Sequence, residues 1–213
     1  HLDSIPLGEG WMWDEGPRWY AAQISALSVN DNVVDFIVSP GPAGASIEVT
    51  LSPETDYISV INNSVTVNDT TGFHELKIER NWLHETNDFL ITGNLMDTTS
   101  VDTLYRNIED PTMFTGTVFR EILEVRNVPV KSIEKGNLPI DFRVLASHRS
   151  APLFESVINM MKESDNLTAE LLIKTMGREN SGIQGTWQNG LIAIKTFLND
   201  EVGIDTTNLR IAD

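Results

Sequence analysis

Hydrophobic and polar positions alternate in short runs over the first hundred residues. The runs are VVDFIVS (33–39), ASIEVTLS (45–52), YISVINNSVTV (57–67) and HELKIER (74–80). They are rich in β-branched residues or have a period of two, and turn residues such as those of PGPAG separate them, which is typical of strands. The pattern therefore predicts an antiparallel, sheet-rich module in this part of the chain.

The hydrophobic period lengthens to about 3.6 residues after residue 106, which indicates helices. Asp110 and Pro111 predict a helix start, with an N-cap residue followed by proline at the first helical position. This helix should end near Asn127, and its apolar face comprises Phe114, Val118, Ile122 and Val125. Strands first and helices later is the order expected of an α+β protein or of two separate modules.

Three more helical patterns follow in the last third of the chain. Their apolar positions are Leu153, Val157, Met160 and Met161, then Leu167, Leu171 and Leu172, and finally Trp187, Leu191, Ile194 and Leu198. Thr186 is the predicted N-cap of the last helix, which should stop near Gly203. An extended piece, PIDFRVLAS (139–147), precedes the three helices.

The amino-acid composition argues against several kinds of binding partner. The chain has 213 residues and 40% apolar content, which is enough for a sizeable core. Its formal charge of −16 disfavours attraction to nucleic acid or anionic lipid. No apolar run approaches the roughly 20 residues that a membrane-spanning helix needs, so none is predicted. Cysteine is absent, and His74 and His84 have no partner ligands in motif spacing, so no metal site is predicted.

Three small polar residues, Ser164, Asp165 and Asn166, lie between two of the predicted helices. Serine, aspartate and asparagine are preferred N-cap residues, so the pattern alone favours a simple helix boundary. The alternative is the Ser-Asp-Asn element of serine acyl-transferases that also carry S-x-x-K and K-T-G. Three residues do not decide between these two readings.

The sequence around this element resembles a known family. The matching blocks are LASHRSAPL (145–153), MMKESDNLTAELLIKTMG (160–177), GTWQNGLIAIKTFL (185–198) and LRIAD (209–213). They are similar to the class C low-molecular-mass penicillin-binding proteins, the serine D-alanyl-D-alanine carboxypeptidases and endopeptidases of bacterial cell-wall metabolism. Residues 11–32 resemble the Trp-rich stretch of that family, and residues 109–128 resemble a helix of its inserted domain.

The resemblance implies an α+β multidomain architecture. β-rich inserted domains would precede a helical segment of a transpeptidase domain of the penicillin-binding-protein/β-lactamase type. Residues 1–25 and 99–141 would form part of the second, inserted domain. Residues 26–98 would form a third, sheet-rich domain nested in the second. Residues 142–213 would belong to the transpeptidase domain and carry the Ser-Asp-Asn element.

Two motifs of the family have no convincing match. Ser132 and Lys135 spell S-x-x-K, but they precede GNLP and lack a helical context. Lys174-Thr175-Met176-Gly177 imitates K-T-G with an extra residue in a helical pattern, and Lys195-Thr196 is followed by phenylalanine. We therefore expect the chain to be a fragment of a longer protein, with its nucleophile elsewhere and no catalytic activity of its own.

The resemblance also implies roles for individual residues. Ser164 would pass a proton toward the leaving D-alanine nitrogen, and Asn166 would hold the substrate amide and contact a lysine beside the missing nucleophile. Glu15 and Tyr20 would recognise an amino group of the peptidoglycan stem peptide. Asp14 lies next to Glu15, so which carboxylate makes the contact stays open. The alternative for the aromatic residues of this stretch is simple core or interdomain packing.

The sequence thus predicts part of an extracytoplasmic serine DD-peptidase. It would act on D-alanyl-D-alanine termini or cross-links through an acyl-enzyme, and β-lactams would inhibit it. No metal or organic cofactor is expected. The alternative is a non-catalytic wall-binding or scaffolding module. Whether carboxypeptidase or endopeptidase activity dominates stays open.

Overall fold

The computed structural model of the chain describes residues 2–12, 14–68, 72–136 and 141–211. Throughout these ranges every strand lies before residue 108, and every α-helix lies after residue 110. The fold-class prediction of an α+β protein is therefore confirmed. No helix within the described ranges is long and apolar enough to cross a membrane.

The chain folds into two compact units. The sheet unit comprises residues 11–23 and 27–133, and the helical unit comprises residues 1–10, 24–26 and 134–213. The domain layout implied by the family resemblance, with its nested insertion, stays a prediction.

The sheet unit contains two sheets. Its strands are β1 (Val33–Ser39), β2 (Glu48–Ser52), β3 (Ser59–Asn62), β4 (Val65–Val67), β5 (Leu76–Arg80), β6 (Asp88–Met96) and β7 (Asp102–Asn107). In the first sheet β1 lies between β2 and β7 and is antiparallel to both. In the second sheet β6 is central and pairs with β3, β4 and β5.

Aromatic side chains join the two sheets and the first helix into one core. Phe36 of β1 packs against Phe89 of β6, with ring centroids 5.0 Å apart. Helix α1 (Pro111–Val125) adds Phe114, which is fully buried in the same cluster. Burying one such ring contributes about 2 kcal/mol. The predicted start of α1 is confirmed, because the Asp110 side chain accepts a hydrogen bond from the Met113 amide at 3.2 Å.

The prediction of an antiparallel module is wrong for part of the second sheet. Strands β3 and β4 run parallel to β6, because the chain passes through β5 before it forms β6. The run predicted over 57–67 is also interrupted, since the side-chain oxygen Oδ1 of Asn62 accepts bonds from the Ser64 amide and hydroxyl. Such local side-chain bonds compete with the strand ladder. Strands β6 and β7 were not predicted.

The helical unit contains the three remaining predicted helices, α2 (Leu153–Glu163), α3 (Asn166–Ser181) and α4 (Trp187–Asp200). The predicted cap of α4 is confirmed, since the Thr186 side chain accepts a bond from the Asn189 amide at 3.1 Å. Helix α2 forms as predicted, yet none of its residues is buried. The extended piece predicted at 139–147 begins on residues outside the described ranges, and its described part has no regular secondary structure.

Candidate functional site

The Ser-Asp-Asn element forms the turn between α2 and α3. Ser164 ends α2 with left-handed backbone angles (φ 55°, ψ 50°). The amides of Ser164 and Asp165 both donate to the carbonyl of Met160, and this closes the helix. A left-handed conformation is uncommon for a residue other than glycine, asparagine or aspartate. Helices nevertheless often end on a residue in this conformation, and here that residue is the exposed serine of the Ser-Asp-Asn element.

Asp165 caps the next helix. Its carboxylate accepts hydrogen bonds from the amide of Thr168 at 3.2 Å and from the Thr168 hydroxyl. Asn166 is therefore the first residue of α3 and is half-buried, and Leu167 behind it is buried. Helix boundary and candidate site thus coincide, because the cap fixes the backbone on which Ser164 and Asn166 are presented.

We expect Asp165→Ala to lower the free energy of unfolding by about 1 kcal/mol, because it removes an N-cap. Asp165→Asn should keep most of that stability, since asparagine caps equally well. Chemical denaturation monitored by circular dichroism would measure both variants. Equal stability of the alanine and asparagine variants would contradict a capping role for Asp165.

The second predicted group, Glu15 and Tyr20, lies in the sheet unit. The Tyr20 hydroxyl donates a hydrogen bond to Glu15 Oε2 at 2.9 Å. The Tyr20 ring stacks on Trp11 with centroids 6.4 Å apart and meets Trp19 edge to face at 6.0 Å. The structure thus brings Glu15 and Tyr20 together, and two tryptophan rings pack on the tyrosine that binds the carboxylate.

A pocket of about 260 Å³ opens beside this pair. It is lined by Asp14, Glu15, Gly16, Pro17, Arg18, Trp19, Tyr20, Ile78, Glu79, Trp82 and Arg106. All three predicted substrate-binding residues therefore line one cavity. Charges of both signs surround it, and two indole rings supply apolar wall, so it suits a small polar group with an aliphatic stem.

The Tyr20 hydroxyl is protonated at neutral pH, since the ordinary tyrosine pKa of about 10 is raised further here. Desolvation, together with the hydrogen bond to Glu15, raises the pKa of Tyr20. Burial lowers the pKa of Arg106, and the Glu79 carboxylate partly offsets this change. Arginine nevertheless stays charged in proteins. The pocket therefore holds a neutral Tyr20 hydroxyl, whose proton is donated to Glu15, and a fixed positive charge at Arg106.

A buried asparagine holds the pocket loop in place. The two hydrogens of the Asn107 side-chain nitrogen Nδ2 are shared among the carbonyls of Gly16, Arg18 and Ala21, at 3.1, 2.9 and 2.9 Å. The side-chain oxygen of Asn107 accepts from Arg80 at 3.2 Å. The sequence did not indicate Asn107, Trp82 or Arg106, because each lies more than 60 positions from the loop that it meets in the fold.

The two predicted groups lie in different units, with Ser164 and Asn166 in the helical unit and Glu15 in the sheet unit. Ser132 lies in an exposed stretch without a helix. Lys174 lies inside α3 and is buried. Among the described residues, no cluster of three or more histidine, aspartate or glutamate side chains could hold a metal ion.

Comparison with known proteins identifies the family. The family model described as D-Ala-D-Ala carboxypeptidase 3 (S13) matches residues 2–213. The chain belongs to this family. The recognition made from the sequence blocks is therefore confirmed.

The D-alanyl-D-alanine carboxypeptidase of Actinomadura sp. (strain R39) is similar in sequence, with 34% identity to this chain over 222 residues. The match covers 100% of this chain and 40% of that protein. The chain thus spans less than half the length of this curated relative.

Solved structures show the same fold. Penicillin-binding protein 4 (dacB) from Haemophilus influenzae superposes with a TM-score of 0.73 and 18% identity, over 100% of this chain and 46% of that chain. A second structure of that protein, in complex with a β-lactam, gives a TM-score of 0.66 and 19% identity, over 89% and 43% of the two chains. At this sequence identity, the structural likeness is evidence for the fold of this chain and not for its function.

Proposed function

We propose that this chain is part of a longer serine DD-peptidase that cleaves D-alanyl-D-alanine termini or cross-links of peptidoglycan. The observation that carries the proposal is the Ser164–Asn166 turn of a chain that belongs to the S13 family. The Ser164 side chain is exposed, and Asn166 opens a helix whose cap is intact. A left-handed residue is common where a helix ends, so the support for the proposal lies in the match of this turn to the family's Ser-Asp-Asn element.

Ser164 acts in this proposal as a proton relay. A serine elsewhere in the longer protein attacks the carbonyl of the penultimate D-alanine, and its proton passes to a neighbouring base. Ser164 accepts one hydrogen bond while donating another, so it delivers a proton to the departing amide nitrogen. The C–N bond then breaks, D-alanine leaves as an amine, and water hydrolyses the acyl-enzyme.

Asn166 holds the substrate. Its side-chain amide has both a donor and an acceptor, so it pairs with a peptide group and contacts the lysine beside the nucleophile. β-Lactams would occupy the same place and acylate the same nucleophile. Because no suitable S-x-x-K is recognised within these 213 residues, the chain alone should not be acylated. The reaction needs no metal or organic cofactor, and its substrate assigns the protein to an extracytoplasmic location.

Glu15 recognises an amino group of the stem peptide in this proposal. The Tyr20 hydrogen bond orients its carboxylate, and the aromatic wall accommodates the aliphatic part of the ligand. Asp14 lies at the rim as a second, more exposed carboxylate. Glu15 is the better candidate for the direct contact, because its position is fixed by a partner.

We expect Asn166→Ala to slow D-alanine release by the longer protein about 10²-fold, as loss of one well-placed hydrogen-bonding group does in acyl transfer. Asn199→Ala, at an exposed asparagine near the end of α4, is the matched control and should leave the rate unchanged. The assay would follow D-alanine released from a peptide ending in D-alanyl-D-alanine. Equal rates for the two variants would refute the role of Asn166.

A further inference from the structure

Helix α3 buries an unusual face. Its buried residues, Leu167, Glu170, Lys174 and Gly177, recur with helical spacing, and the two in the centre are charged. Glu170 is 3% exposed and Lys174 is 1% exposed. Charged side chains are almost never fully buried unless they are paired. This face therefore has a specific partner.

The partner is the beginning of the chain. Lys174 Nζ donates to Asp3 Oδ1 and to the carbonyl of Ile5, both at 2.6 Å. The Glu170 carboxylate accepts a hydrogen bond from the Trp187 indole of α4. Gly8 packs so closely on these two side chains that a Cβ at this position would collide with both.

Residues 2–9, which we name the strap, are held along α3 and the turn before α4. The Asp3 amide donates to the Gly185 carbonyl at 3.0 Å, and Gln184 donates to the Leu2 carbonyl at 3.1 Å. Further along, Gln188 donates to Glu9 at 3.3 Å. The strap is thus attached at several points, and among them the Lys174–Asp3 ion pair is a buried attachment.

A buried ion pair is a poor source of stability. Desolvation of the two charges offsets most of their attraction, and apolar residues of similar size often stabilise a protein equally well. In some proteins a buried ion pair instead selects one alignment of two packed elements over the alternatives. For α3 the register matters, because Lys174 lies about 12 Å along the same rigid helix from Asn166.

We propose that the Lys174–Asp3 pair is a positioning device that sets α3 against the strap and thereby places Asn166 and Ser164. That Ser164 and Asn166 are catalytic groups rests on the proposed function. The ion pair and the strap are observed contacts and do not depend on it. In sequence the strap runs directly into the loop that carries Asp14, Glu15 and Tyr20. One segment therefore fixes the helix of one candidate site and leads into the loop of the other.

Hydrogen exchange on this chain tests the proposal. The double variant Lys174→Met, Asp3→Asn removes both charges with little change in volume. A second variant, Leu198→Ala on α4, serves as a comparison of similar stability that leaves the strap contacts in place. If the double variant does not fold, Lys174→Met alone replaces it, because the carboxylate that it leaves at Asp3 is the less buried of the two charges.

We expect the α3 amides 170–178, on the turns around Lys174, to exchange at least ten times faster in the double variant than in Leu198→Ala, with each variant measured at the same interval below its own melting temperature. The amides of α1, which lies in the sheet unit, should differ little between the two variants. Equal exchange of amides 170–178 in both variants would overturn the proposal.

A second readout uses the longer protein and a penicillin. If the wild type is acylated, the double variant should be acylated at least ten times more slowly with unchanged non-covalent affinity, and an unchanged rate would overturn the positioning of Asn166. A wild type that is not acylated would refute the proposed function. Hydrogen exchange would still decide whether the pair sets the helix.

Discussion

Asn107→Leu is expected to lower the free energy of unfolding of the sheet unit by about 4 kcal/mol. Asn107 is 2% exposed, and leucine has the same branched shape but no polar atom, so three loop carbonyls lose a hydrogen bond. The Arg18 carbonyl keeps the bond from the Ala21 amide, whereas those of Gly16 and Ala21 lose the Asn107 donor. Arg80 also loses an acceptor. Each buried polar group deprived of its partner costs about 1–3 kcal/mol, and partial rearrangement of the loop limits the sum.

The loop should move even where the unit stays folded. Because the three lost bonds anchor residues 16–21, the pocket beside Glu15 and Tyr20 should open, and protease should cut the loop faster. Tyr105→Leu, at an exposed position of the same strand, is the matched control and should change stability by less than about 0.5 kcal/mol. Similar denaturation midpoints for the two variants would show that Asn107 does not hold the loop.

Gly190→Ala is expected to destabilise the helical unit by about 3 kcal/mol. Helices α3 and α4 approach so closely here that a Cβ at Gly190 would overlap the Ile173 carbonyl oxygen and lie 2.8 Å from its carbon. Backbone atoms cannot rotate away, so the helices would have to separate. The opposing Gly177 is equally crowded, since its Cβ would lie 2.6 Å from the Gly190 amide nitrogen.

Gly136→Ala is the matched control for this prediction. It lies in the same unit, and nothing is within 4 Å of the Cβ that would be added. Thermal unfolding monitored by circular dichroism at 222 nm would compare both variants with the wild type. A melting temperature for Gly190→Ala equal to that of Gly136→Ala would contradict the close helix crossing.

Local signals predicted the elements that depend on neighbouring residues. The start of α1 at Asp110 and Pro111, and the cap of α4 at Thr186, are set by bonds spanning three residues. Strand direction is a long-range property, so the parallel pairing of β3 and β4 with β6 could not be seen in alternation alone. Helix α2 shows the same limit, because its apolar stripe predicts a helix but not what covers it.

The candidate sites divide in the same way. Ser164, Asp165 and Asn166 are contiguous, so their chemistry was visible in the sequence, and so was the short spacing of Glu15 and Tyr20. Asn107 and Arg106 reach the pocket loop across paired strands, and Lys174 reaches Asp3 over most of the chain length. Such residues carry no local motif, and only the folded chain reveals them.

Intact-protein mass spectrometry after exposure to penicillin tests the central claim most directly. We expect the longer protein to gain the mass of one penicilloyl group and this 213-residue chain to gain none. Acylation of the chain itself would contradict the dismissal of Ser132 as a nucleophile. No adduct on either protein would contradict the serine DD-peptidase and leave a non-catalytic wall-binding module in its place.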